Sequence, residues 1–242
     1  MDDATVSIEK EQCADALRQH LQTAKHLRLQ ANREPTAATK RLRLRDWQAG
    51  RLARTHAELL ASPRFGEAAQ FFLSDLYGPK DFSSRDEEVE RILPLLIRML
   101  PVSALRTVAL AVEVDALSEE LDSAMVAELE RAGLLERIDE DSYAAAYRAV
   151  GCRAERERQI LLIRQTGESL DRVARKPLLS TMLRLMRGPA HLAGLGELHE
   201  FLDRGLNAFR CMGRADEFLD SIERKERRLL ERLFAAADDP FL

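Results

Sequence analysis

Across 242 residues the chain is 45% hydrophobic and 32% charged, with a formal net charge of −4. Those proportions describe a soluble globular protein long enough to bury a substantial core as one domain, 1–242. They exclude a membrane span, because the longest apolar run, Ile92–Ile97, falls far short of the roughly 20 residues required. The acidic start MDDATVSIEKEQC is not expected to act as a secretory or transit leader. Cys13, Cys152 and Cys211 are odd in number and scattered, which argues against a CxxC metal site and predicts a reducing, cytoplasmic location. Ala, Leu, Glu and Arg dominate, aromatic residues make up only 5%, and helix is predicted throughout.

A first helix is predicted from about Ile8 to Ala31, with Cys13, Leu17, Leu21, Ala24 and Leu27 at three-to-four spacing. Pro35 opens a second, to about Ala61, antiparallel to the first because the connection is short. Residues 25–54 hold nine Lys and Arg against Glu34 and Asp46, a local charge of +7, so the rest carries −11. Such separation predicts an electrostatic docking face for an acidic protein partner. The alternative is a face that pairs with the acidic remainder of the same chain. Arg41, Arg43 and Arg45 spread around the helix instead of forming one stripe, which argues against nucleic acid.

Ser62-Pro63 restarts the chain into a helix ending at Tyr77. There begins the stretch with the densest set of candidate site residues, Phe71–Asp86, reading FFLSDLYGPKDFSSRD. Phe71, Phe72, Leu76 and Tyr77 crowd the last helical turn; Gly78 supplies left-handed freedom, and Pro79 cannot continue the helix. Ser83 or Ser84 caps the next helix, with Glu87 three residues after Ser84. One reading fills the core with Phe72, Tyr77 and Phe82 and uses the charges to tie the turn. Yet Asp75, Tyr77, Lys80, Asp81, Arg85 and Asp86 exceed what a turn requires, and they are read as lining a pocket or presenting a docking surface.

This stretch resembles the motif FFLxDLYGPKDFxxRD of an uncharacterised bacterial family of helical proteins, matched at Phe71–Leu73, Asp75–Phe82 and Arg85–Asp86. A second resemblance lies in Met186–Leu195 (MRGPAHLAGL) and Phe201–Phe209. The resemblance implies membership along most of the chain and brings no activity with it.

The helix from about Ser84 to Leu100 is apolar on nearly every side around Ile92–Leu100. It is predicted to be the central, surrounded helix, kinked at Pro94. Pro101 and Ser103 start the next, which runs to about Leu117 or, unbroken at Ser118, to Arg131. On a helical wheel Leu105, Ala109, Leu110, Ala116 and Leu117 make its apolar face, with Glu113 in the middle and Arg106 two turns earlier. Desolvation there would raise a carboxyl unless a cation compensates. Glu113 is therefore read as half of an Arg106–Glu113 pair, as reaching out to solvent, or as a ligand-facing acid.

Gly133 and Asp139–Asp141 predict a turn, followed by a short helix bearing Tyr143 and Tyr147; 133–152 is where a seam is expected if the chain has two halves. Charged helical pieces follow at about Glu155–Gln165, Ser169–Arg175 and Pro177–Arg187. Leu198, Leu202, Leu206 and Phe209 stripe a helix in which Gly205 admits a close neighbour, and a last helix covers about Ala215–Phe234.

Gly-rich phosphate loops, G-x-S-x-G, HExxH, EF-hand and Glu-x-x-His patterns are all absent from the sequence. His199 and Asp203, at i,i+4, lack the partners a metal needs, and His56 beside Leu52, Leu59 and Leu60 reads as a packed core histidine. No metal or cofactor is expected. The fold class is all-α, a bundle of nine or ten helices without a sheet. The expected role is a non-enzymatic cytoplasmic binding or regulatory protein, meeting a protein partner through the Phe71–Asp86 corner and the basic 25–54 face. The competing class is a helical enzyme or cofactor-binding protein of haem-oxygenase-like proportions, an analogy of fold alone, with a pocket between that corner and Glu113.

Overall fold

A computed structural model describes residues 3–31, 35–76 and 83–241. Among the described residues there are eleven α-helices and no strand. In order they are α1 (Asp3–Ala31), α2 (Pro35–Thr55), α3 (Ala57–Ala61), α4 (Gly66–Phe71), α5 (Ser83–Met99) and α6 (Val102–Arg131), then α7 (Glu140–Val150), α8 (Arg153–Ala174), α9 (Pro177–Leu192), α10 (Gly196–Met212) and α11 (Asp216–Phe234). The all-α architecture expected from composition is the one found. None of the described helices is long and apolar enough to cross a membrane.

The central helix is α6. Its buried positions, from Leu105 through Ala116, Glu119 and Asp122 to Leu129, point in several directions because α1, α2, α7 and α8 all pack on it. α1 runs beside it in the same sense: Glu9 faces Arg106, His20 faces Glu113, and Arg28 reaches Asp115 and Glu119. α2 runs the opposite way, with Lys40 at Glu130 and Arg41 at Ser123 and Glu119. α8 is antiparallel too, with Arg158 at Glu113 and Ser169 Oγ 2.6 Å from Thr107 Oγ1.

The central place predicted for the helix around Ile92–Leu100 is therefore corrected. α5 is peripheral, packed on α1 and α10, and Leu95 is 57% exposed. An apolar run alone does not say how many sides have neighbours; among the described side chains of α5 only Glu88 and Leu93 are buried.

Local signals explain the breaks. The second predicted helix is interrupted at His56, whose carbonyl accepts from the N–H groups of Leu59 and Leu60. Ser62 Oγ then accepts from the N–H groups of Arg64 and Phe65, starting the chain toward α4. Beyond α4 the helix widens into a π turn, Phe72–Leu76, a form found often at functional sites. α7 opens on a reciprocal cap. The Asp139 carboxylate accepts from the Ser142 N–H at 2.8 Å, and the Asp139 N–H donates to Ser142 Oγ at 2.8 Å.

Four apolar clusters result among the described residues, and the two largest matter most for the site. One gathers Phe71, Phe72, Phe209, Met212 and Phe218 from α4, α10 and α11. The other gathers Leu44, Met125, Leu129, Tyr143, Tyr147 and Leu233, with Trp47 stacked on Tyr143 at 4.1 Å between ring centroids.

Candidate functional site

A cavity of about 130 Å³ is bounded by α2, the π turn, α6, α7, α8 and α11. Leu52, Phe72, Leu73, Ile160, Ile163 and Phe218 give it apolar walls. Gln48, Arg51, His56, Asp122, Tyr143, Tyr147, Arg156, Gln159 and Glu226 give it polar ones.

Most of those polar groups are already engaged. Arg51 Nη1 donates to both oxygens of Glu226, at 2.6 and 2.8 Å, and His56 Nε2 lies 2.9 Å from the same carboxylate. Burial works to raise the Glu226 carboxyl, but the Arg51 guanidinium and the His56 hydrogen bond outweigh it and hold the group down at about 2. Such a carboxylate is a weak base near neutral pH. Burial pushes the Tyr147 phenol above its ordinary value. Asp122 accepts from Arg45 Nε and from Gln48 Nε2, and Gln159 Nε2 donates to Ser118 Oγ.

Arg156, in the first turn of α8, is the exception. It is 6% exposed, and its guanidinium carbon stands 4.5 Å over the centre of the Tyr147 ring. Its Nε and Nη2 are buried without a hydrogen-bond partner, and no described carboxylate pairs with it. Arg51 Nε and His56 Nδ1 are likewise buried and unpartnered. A buried donor left unmade costs about 1–3 kcal/mol, more for a charged one. The three arginine nitrogens among these are N–H donors on residues lining one cavity, a set suited to acceptor oxygens.

The residues predicted from sequence fall elsewhere. Tyr77, Gly78, Pro79, Lys80, Asp81 and Phe82 lie outside the described residues, as do the side chains of Asp75, Arg85 and Asp86. Arg106 and Glu113 are not brought together: Arg106 is exposed with Glu9 at 3.7 Å, while Glu113 pairs with Arg158 and has His20 Nε2 at 4.0 Å. Two turns of helix separate the expected pair by about 10 Å, so the nearer cation on α8 takes the carboxylate. Glu113, 20% exposed at its side chain, sits between α1 and α8 and not on the cavity. The corner contributes Phe72 and Leu73 to the cavity wall.

The basic segment is turned largely inward. Arg28, Arg41 and Arg45 converge on Glu119, which is fully buried, with Asp115 and Asp122 completing a balanced cluster of three cations and three anions. Lys25, Lys40, Arg43 and Arg54 reach Glu90, Glu130, Glu136 and Glu140 nearer the surface. Each of the eight described cations of residues 25–54 thus meets an acid of its own chain.

Sequence reasoning passed over Arg156 and Glu226 as parts of charged helices. A signal was there. Ile160, Ile163 and Gly167 continue a core stripe from Arg156, and Leu219, Ile222, Leu229 and Leu233 form one through Glu226. In both, the helical period assigns one charge to the core.

A family model described as a domain of unknown function, DUF8198, matches residues 27–240. The chain belongs to the DUF8198 family. The matched span takes in α2 to α11, and with them every wall of the cavity. No curated protein and no solved structure matches the DUF8198 chain.

Proposed function

We propose that this DUF8198 protein is a non-enzymatic cytoplasmic binding protein that holds a small molecule in the cavity between α2, α7, α8 and α11. The observation that carries the reading is Arg156, a cavity-lining residue whose buried guanidinium has no hydrogen-bond partner at Nε or Nη2. A structural arginine in such a place is ordinarily given a carboxylate, as Arg51 is given Glu226. Binding is favoured over turnover because His56 and Glu226, the groups best suited to proton transfer, are tied to one another and to Arg51. The three free and dispersed cysteines accord with a reducing compartment.

Trp47 gives the test. It is the chain's single tryptophan and stacks on Tyr143, a cavity residue. A fragment set of anions, cations and neutral molecules, each followed by Trp47 emission and by melting temperature, should yield saturable hits among the anions. A set in which nothing shifts either signal sinks the reading.

A second reading, docking of a protein partner, has a separate observation behind it. α9 leaves Met182, Leu185, Met186 and Leu192 exposed, and residues 172–196 hold five Lys and Arg with no acid. That surface suits an apolar groove rimmed by carboxylates, filled by an amphipathic helix at i, i+3, i+4 spacing. A partner bound there should be lost on Leu185→Glu; retention of the complex by that variant removes the reading.

A further inference from the structure

Resting on the small-molecule reading above, we infer that the ligand is a monocarboxylate with a compact apolar body, its carboxylate seated on the Nε–Nη2 edge of Arg156. The edge is the first argument. No described group hydrogen-bonds this guanidinium, and Nε and Nη2 are the two of its nitrogens that are also fully buried. Their N–H bonds run parallel along one side of the plane, the geometry that takes both oxygens of a carboxylate at once. One flat face is occupied by Tyr147, and the edge is the approach that offers two N–H bonds at once.

Charge is the second argument. Arg51 is matched by Glu226, and Asp122 by Arg45. With those pairs cancelled, Arg156 is the one guanidinium on the described lining without a carboxylate. One negative charge on the ligand neutralises it. A dianion would bring a second buried charge with nothing opposite it, and burying an unpaired charge is strongly unfavourable.

Size and wall chemistry are the third. A dry cavity of about 150 Å³ holds benzene, and this one, at about 130 Å³, admits a body of similar bulk. The same cavity is lined by Ile160, Ile163, Phe72 and Leu52, which reward burial of carbon. Benzoate and butyrate have the required charge, fork and bulk.

The experiment titrates benzoate, butyrate, benzamide, butyramide, succinate and inorganic phosphate into the full chain, reading Trp47 emission and melting temperature. The same titrations are run on Arg156→Met and Arg156→Lys. Benzoate or butyrate should saturate, with the matching amide about a hundredfold weaker, since a charge-assisted fork is replaced by a neutral contact. Arg156→Met should abolish binding while melting at or above the wild-type temperature, because an unpaired buried cation is removed. Arg156→Lys, which keeps the charge and loses the fork, should weaken binding at least tenfold. Amides binding as well as acids, or full affinity in Arg156→Lys, would overturn the carboxylate and leave the cavity reading intact. Tighter binding of succinate or phosphate would overturn the single charge. Absence of any shift with every probe, fragments included, overturns both. Should Arg156→Met fail to fold, the acid–amide comparison on the wild-type chain decides the same question.

Discussion

The ring of Phe71 lies so close to Gly205 that a Cβ at position 205 would sit 2.7 Å from its Cζ. Phe71 also meets Phe201 at 5.4 Å between centroids, and Phe72 meets Phe209 at 6.0 Å. Phe71 and Phe72 therefore touch residues 201–209 in the core. These contacts set α4 against α10, beside the cavity wall that Phe72 and Leu73 help to form.

Gly205→Ala should destabilise by about 1–3 kcal/mol, because the methyl meets the Phe71 ring at its tip and both edges and the core has little room to give. Denaturant unfolding measures the loss. Phe71→Leu in the same chain should recover part of it, and a double-mutant cycle with no coupling would show that the ring moves freely aside.

Glu226→Gln should be far more damaging, about 3–5 kcal/mol, because it leaves the buried Arg51 without its anion. The pH dependence follows from the same pair. The folded-state carboxyl titrates at about 2, below its ordinary 4.5, so its contribution is fully present above 4.5 and is lost as pH falls toward 2. The amount is on the order of 3 kcal/mol. Urea unfolding of the wild type between pH 5 and 2 should show a decline that is shallower in Glu226→Gln; equal slopes would mean the pair does not govern acid stability.

Asp139→Ala removes one half of the reciprocal cap on α7 and should cost about 1 kcal/mol. The same helix carries Tyr143 and Tyr147 into the cavity, so Trp47 emission should change with it. Because each partner satisfies the other's N–H, Ser142→Ala in the Asp139→Ala background should add less than it does alone. Full additivity would show that the cap works one way only.

Much of this fold was legible in the sequence, and the reasons are local. Pro35 and Pro101 mark helix starts, Gly133 a stop, and the tyrosines one turn apart an inward face; each is a statement about a few neighbouring residues. Which helix is central was not legible. It depends on how many neighbours a helix has: α6 buries Glu119 and Asp122, charges that a helical wheel assigns to solvent, whereas Leu95 in the apolar run of α5 is left exposed. The site was hidden for a related reason. Arg156 has charged neighbours in sequence, and only the packing of α8 on α6 and α11, with the Tyr147 ring against the guanidinium, turns it from one surface arginine among several into an unpaired buried cation.

The basic segment divides into two kinds of arginine, and mutation should tell them apart. Arg45 is buried between Glu119 and Asp122, where removing it leaves two desolvated carboxylates short of a cation. Arg43, two residues away, reaches Glu136 on the open surface. Arg45→Ala should cost about 3–5 kcal/mol, whereas Arg43→Ala should fall within about 0.5 kcal/mol of wild type. The two should also differ in salt. Screening reaches an exposed pair and erases whatever Arg43 contributes, but it scarcely touches the cluster around Glu119. A loss for Arg45→Ala no larger than that for Arg43→Ala, or one erased by molar salt, would mean that the cluster is solvated. Its three arginines would then be available to an acidic partner after all.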